Sequence, residues 1–307
     1  MINILLYTTV VLIWGSSWIM IPYQVGVVPV QASVAYRLII AAVLLFGWTA
    51  IRRLPLRFSF RNHLFIALQG ALIFSTNFFL LYMATDYLAT GLISVVFSTA
   101  SALTMLFNAL KLKRMPTLRM LAGVILGFCG MMIIFWPEVA GLSLGTGAGF
   151  GLLLSLGGTI CFSLGSIVTA RNQAAGLSMY GSTAWGMLYG VVLLSVFLTI
   201  SGNHFSFDPA WPYVASLLYL AVVGSVVGFA SYFTLLRRIE AERAAYATVL
   251  FPVVALSLST LFEGYQWTAT VFIGVVLTLL GNVFVLMKPA KFEKRILEKT
   301  QQINPVP

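Results

Sequence analysis

Charge is what this chain has least of. Only 8% of its 307 residues are charged and 60% are hydrophobic, whereas soluble domains carry roughly a quarter charged residues. A chain this poor in charge cannot coat a surface that faces water, and a mean hydropathy of +0.98 marks a polytopic membrane protein. The two cysteines, Cys129 and Cys161, both lie inside apolar runs and supply neither a disulfide framework nor a metal cluster. The two histidines are peripheral, His63 at the edge of a run and His204 in a loop, and Glu263 stands at a run's end. With no Asp, Glu or His in the middle of any run, clustered acid, base or metal chemistry has no material, which argues against a membrane-embedded enzyme. No cofactor and no metal are expected. The same absence argues against a proton relay, so transport would not be obligatorily proton-coupled. No GxxxxGK[ST] segment is present, which disfavours a nucleotide-driven pump. Charged rings and filter-like segments are missing too, against an open channel.

What the chain does have is ten apolar runs. Breaking the sequence at charge, proline and Asn/Asp/Gly clusters predicts spans at Asn3 to Pro22, Gln31 to Ile51, Asn62 to Thr85, Leu88 to Leu110 and Leu118 to Trp136. Five more follow at Gly147 to Ala170, Ser178 to Ser201, Trp211 to Leu236, Arg243 to Phe262 and Thr268 to Met287. The first lacks the basic leader and cleavage site of a secretory signal and reads as a retained helix. Basic residues then segregate. Arg52, Arg53, Lys111, Lys113, Arg171, Arg237, Arg238 and Lys288 all fall on one side if the spans alternate, and the other side carries only acids such as Asp86 and Asp208. By the positive-inside rule both termini are cytoplasmic. The net charge of +10 is therefore explained by membrane orientation and not by nucleic acid.

The fifth and tenth spans repeat one pattern about 150 residues apart: Gly123, Gly127 and Gly130 in the first, Gly274, Thr278 and Gly281 in the second, with Pro137 and Pro289 closing them. Small residues at that spacing let another backbone approach closely. Trp14-Gly15-Ser16 falls opposite Leu164-Gly165-Ser166 in the same register, and the turn at Asp86 falls opposite Ile239 to Glu242. Five spans per copy is odd, so the copies enter the membrane in opposite senses. The fold class is an all-α polytopic bundle of ten transmembrane helices in two inverted repeats, residues 1–139 and 140–288, with a polar cytoplasmic tail over 289–307. Inverted repeats with a site at mid-depth between them are a common build for secondary transporters.

Several side chains could line such a site. Arg37 is the one charged group well inside an apolar span; it either pairs with a substrate carboxylate or snorkels to the nearby interface. Thr90, Ser94, Ser98 and Ser101 share a face of the fourth span, and Tyr7, Trp14 and Trp18 share one on the first. Asn77, Ser163, Tyr246 and Ser257 add donors from the third, sixth and ninth. Each hydroxyl can bond between helices or line water; together with the aromatics they suit a small zwitterionic or amphipathic solute. Pro252 removes a backbone hydrogen bond in mid-span and gives a kink that is either a hinge or static.

Ten spans in two inverted fives, Trp14-Gly15-Ser16-Ser17-Trp18, Arg37 early in the second span, and Pro252 followed by Glu263 together resemble the EamA-type exporters of the drug/metabolite transporter superfamily, over residues 1 to about 288. The resemblance implies a multi-pass exporter of small metabolites in a bacterial cytoplasmic membrane. It also implies that spans 1 to 4 and 6 to 9 surround a central cavity while 5 and 10 stay peripheral. The branch exporting amino acids, including aromatic ones, is the nearest in character; multidrug, nucleoside or proton-driven exporters of the same superfamily are the alternative. The partners implied are a small-molecule substrate and the lipid bilayer, with the chain a monomer or weak homodimer. Two departures stand out. The first half has Ser101 or Ala100 where the second has Pro252, and the fourth span ends in Lys111-Leu112-Lys113-Arg114 where the family often places a glutamate.

Overall fold

The computed structural model describes residues 2–111, 117–140, 147–238 and 247–287. Among these every regular element is helical, as lipid requires of a chain that must satisfy its own backbone. In chain order they are α1 (Ile2–Met20), α2 (Val30–Ile51), α3 (Phe60–Ala84), α4 (Thr90–Lys111), α5 (Leu118–Ala140), α6 (Ala148–Ala174) and α7 (Met179–Ile200). Then come α8, built from Trp211–Leu218, Tyr219–Val227 and Gly228–Arg238, α9 (Ala247–Phe262) and α10 (Ala269–Leu286). Nine of the described helices are long and apolar enough to cross a membrane, and α9 is a shorter apolar tenth. Ser59, Ser178 and Thr268 cap α3, α7 and α10 by accepting from the backbone three residues on. Gly176, with φ of +76°, ends α6 in the left-handed conformation that a side chain would resist.

The pairing of helices follows the internal repeat. α5 packs along α10, and the two glycine patterns face each other: a Cβ on Gly123 would stand 2.6 Å from Gly281 O, and one on Gly274 would stand 2.6 Å from Gly130 O. These contacts run in opposite directions along the two helices, so the copies of the pattern are antiparallel. α2 likewise packs on its counterpart α7. α1 lies against α8 and α9, as α6 lies against α3 and α4. α5 and α10 touch the rest of the bundle through α4, α6 and α9 and so sit at its edge.

Four features depart from the expected pattern. Pro137 does not close α5, whose backbone stays helical to Ala140. Gly15 packs on α9, against Val254 and Phe251 O, but Gly165 packs on α3, against Leu72 and Ile73, so this matched pair does not make equivalent contacts. α4 breaks at Thr99 without any proline, while α9 continues through Pro252. Around the break Ser98 and Thr99 donate to carbonyls three residues back, the local competition with the helix ladder that bends such segments. Finally, α3 and α8 each contain a π-helical stretch, Gly70–Thr76 and Tyr219–Val227, at corresponding places in the two halves. The Ile239 to Glu242 turn, the start of the ninth span at Arg243 and the tail after Met287 lie outside the described residues.

Candidate functional site

Arg37 sits seven residues into α2, about 10 Å along its axis, and does not reach the helix end. It is buried, its Nε donates to Ser225 Oγ at 3.1 Å and its Nη1 donates to Tyr82 Oη at 3.1 Å. Its guanidinium lies 4.2 Å from the centre of the Phe78 ring. No carboxylate pairs with it among the described residues. Placing an arginine at bilayer depth costs about 2.5 to 3.5 kcal/mol on insertion scales. Two hydrogen bonds to a charged group and a desolvated ring face, each worth about 2 kcal/mol, offset that cost. The charge itself stays uncompensated.

The π stretch of α8 makes this arrangement possible. Within it Ser225 Oγ donates to Leu220 O, five residues back, at 2.9 Å, and Gly224 takes the position nearest α1. A Cβ there would meet Ser17 Oγ at 3.0 Å, and a Cβ on Gly228 would meet Trp14 Nε1 at 2.7 Å. Glycine at both places lets α1 bring its tryptophans in. π turns recur at functional sites because they re-aim side chains without ending a helix.

Arg37 lines a cavity of about 100 Å³ whose wall comes from α1, α2, α3, α4, α6, α8 and α9, and so from both halves. α5 and α10 contribute nothing to it, and neither does α7. Eight aromatic rings face it: Trp14, Trp18, Phe78, Tyr82, Phe97, Phe162, Phe229 and Phe251. They lean on one another, with Trp18 edge-on to Phe97 at 5.4 Å and Phe97 edge-on to Phe162 at 4.8 Å. Ligand pockets usually hold ~300 Å³ or more, so a solute of amino-acid size needs these rings to move apart. A larger groove of about 890 Å³ lies at the end of α2 and the α6–α7 turn, around Arg52, Arg53 and Tyr180. It contains none of the candidate site residues, so the smaller cavity between the halves, which gathers four of them, is the better candidate.

Of the residues singled out from the sequence, Trp14, Trp18, Arg37 and Asn77 are brought together around this cavity. The serines are elsewhere. Ser94 Oγ donates to Gly91 O within its own helix, and Ser98 donates to Val95 O and accepts from Asn282 Nδ2 on α10. Ser163 reaches Ala100 O at 3.0 Å, at the break in α4. Ser101 is half-buried, its Oγ aimed at Ser98 O. Ser257 is exposed on the outer face of α9 and donates to Val253 O. Pro252 is buried next to Phe251, and Tyr246 lies outside the described residues. The sequence reading missed Tyr82, Ser225 and five phenylalanines. A weak signal existed for Tyr82, one helical turn from Phe78; none marked Ser225.

At the acidic end of the bundle Glu263 reaches across from α9 to α4. Its carboxylate accepts from Thr90 N at 3.0 Å, from Thr90 Oγ1 at 2.8 Å and from Ser259 Oγ. A carboxylate on the first turn of a helix is favourably placed against its dipole.

Two inverted five-helix halves meeting around an aromatic, singly charged cavity are the build of a membrane transporter. The chain belongs to the EamA-like transporter family, whose model matches residues 1–136 and 149–287. It is similar to the uncharacterized transporter YvbV of Bacillus subtilis (strain 168), 26% identical over 290 residues, covering 92% of this chain and 91% of that one. A "Probable amino-acid metabolite efflux pump" of Escherichia coli (strain K12) is 25% identical over 288 residues, covering 90% and 93%. A solved crystal structure superposes with a TM-score of 0.66 at 16% identity over 96% of this chain and 98% of that one, a likeness of fold alone.

Proposed function

We propose that this chain is a secondary exporter of amino acids with apolar or aromatic side chains, or of closely related carboxylates. Residues 1–139 and 140–288 act as two halves that rock about the cavity, exposing it alternately to each side. Both termini and the tail over 289–307 lie in the cytoplasm of a bacterium. The observation that carries this reading is Arg37, a buried cation set among eight aromatic rings with no counter-anion among the described residues. A carboxylate would neutralise it while an apolar body fills the ring-lined space. The same charge repels cationic drugs. The printed name of the Escherichia coli relative, an amino-acid metabolite efflux pump, supports the substrate class. Among the described residues the cavity wall contains no carboxylate or imidazole, which supports flow down the solute gradient without an obligatory proton.

Flux in proteoliposomes tests the reading, against a panel of amino acids, nucleosides and cationic drugs, with and without a pH gradient. Saturable amino-acid flux that ignores the pH gradient is expected. Arg37→Gln should lower it by roughly thirtyfold or more, the loss expected when one partner of a buried charge pair is truncated. Preferential transport of cationic drugs, or undiminished amino-acid flux in a well-folded Arg37→Gln protein, would overturn the proposal.

A further inference from the structure

The wall of the cavity carries one orphaned polar atom. Asn77 is fully buried, its Nδ2 donates to Gly158 O of α6 at 2.8 Å, and its Oδ1 has no hydrogen-bond partner among the described residues. The amide cannot be turned round, because Oδ1 would then face the Gly158 carbonyl, acceptor against acceptor. The approach is close because position 158 has no side chain; a Cβ there would stand 3.0 Å from Leu81 Cγ. A buried acceptor without a donor costs free energy and is rare in folded proteins. Asn77 belongs to the cavity lining next to Phe78, the ring that supports the Arg37 guanidinium. α2 and α3 therefore bring a cation and a neutral acceptor to the same small space.

The geometry points to a two-point site for a zwitterion, in which Arg37 receives the carboxylate and Asn77 Oδ1 receives the α-ammonium of the same solute. This rests on the amino-acid reading above and deepens it. Because the acceptor is a carbonyl dipole and not a carboxylate, it holds an ammonium only when a carboxylate on the same molecule answers Arg37. A bare amine meets an uncancelled positive charge. A carboxylate lacking the amine leaves Oδ1 as unpaired as before.

The test is competition against labelled phenylalanine in proteoliposomes of the full chain, using 3-phenylpropanoate, which lacks the ammonium, and phenethylamine, which lacks the carboxylate. Wild-type protein should bind each at least about tenfold more weakly than phenylalanine, the scale expected when a buried polar group stays unpaired. Asn77→Leu should shrink the phenylpropanoate difference to about twofold or less by weakening phenylalanine alone. Asn77→Ala, which also removes the acceptor, should shrink the difference in the same way. Equal competition by phenylpropanoate in the wild type overturns the inference even if neither variant folds. A difference that persists in active Asn77→Leu protein overturns it too. In either case saturable phenylalanine flux would leave the exporter reading standing; absence of amino-acid flux from the whole panel would fell that reading first.

Discussion

Arg37 Nε meets Ser225 Oγ at 3.1 Å across the interface of α2 and α8, and Ser225 in turn donates to Leu220 O. That second bond spans five residues, a reach supplied by π winding. The buried cation is thus held by an irregularity in its neighbour's backbone, not by an acid.

Shortening that irregularity tests its role. Deleting Val226 should let Tyr219–Val227 rewind as an ordinary α-helix, removing the five-residue reach that holds Ser225 Oγ against Leu220 O. Flux should fall at least tenfold while helical content by circular dichroism is unchanged. Ser225→Ala is the milder probe. Losing one hydrogen bond to a charged group, worth about 1.5 to 3 kcal/mol, should raise the KM for the transported solute roughly tenfold or more. A deletion variant that transports normally would make the π turn a packing accident.

How far the sequence could be read follows from what each residue answers to. The number of spans and the duplication were legible because charge segregation and the small-residue pattern of Gly123 to Gly130 and Gly274 to Gly281 depend on composition and spacing alone. The cavity was half legible. Arg37, Trp14, Trp18 and Asn77 stand out as polar or interfacial groups in apolar surroundings, and they do converge. Ser94, Ser98, Ser101 and Ser163 looked the same in the sequence, but a hydroxyl that bonds a carbonyl in its own helix, as Ser94 does with Gly91 O, costs nothing to place away from a cavity. Phe97, Phe162, Phe229 and Phe251 were hidden among 23 phenylalanines, most of which could equally face lipid. Ser225 was illegible for a different reason: the π stretch shifts the helical register, so a 3.6-residue period projects it onto the wrong face.

Glu263 offers a second test, because its carboxylate caps α4 instead of facing the cavity. Glu263→Gln keeps the side-chain shape but loses the charge beside the helix dipole, a loss of about 0.3 to 1 kcal/mol at an exposed site. The expected result is a small drop in melting temperature with flux still indifferent to a pH gradient. Thr90→Val, which removes the hydroxyl donor, should cost a similar amount, and the double variant should cost less than the sum because the two groups serve one contact. Loss of a proton-driven component of transport in Glu263→Gln would instead place this carboxylate on a coupling path.

The contact between α5 and α10 can be tested with alanine alone. A methyl group on Gly130 would stand 2.5 Å from Gly274 O, and one on Gly123 would stand 2.6 Å from Gly281 O, backbone atoms that cannot swing aside. On Gly127, in the same stripe, the nearest atom would be Thr278 O at 3.9 Å, ordinary van der Waals contact. Helix propensity favours alanine over glycine equally at all three positions, so any difference among them reports the packing. Gly127→Ala should leave the melting temperature unchanged or raised. Gly123→Ala and Gly130→Ala should each destabilise the protein by about 1 to 3 kcal/mol, the usual cost of forcing extra atoms into a packed interface. Because α5 and α10 contribute nothing to the cavity wall, the protein that remains folded should keep its KM. Equal tolerance of alanine at all three positions would mean that the two copies of the pattern do not pack against each other in this antiparallel register.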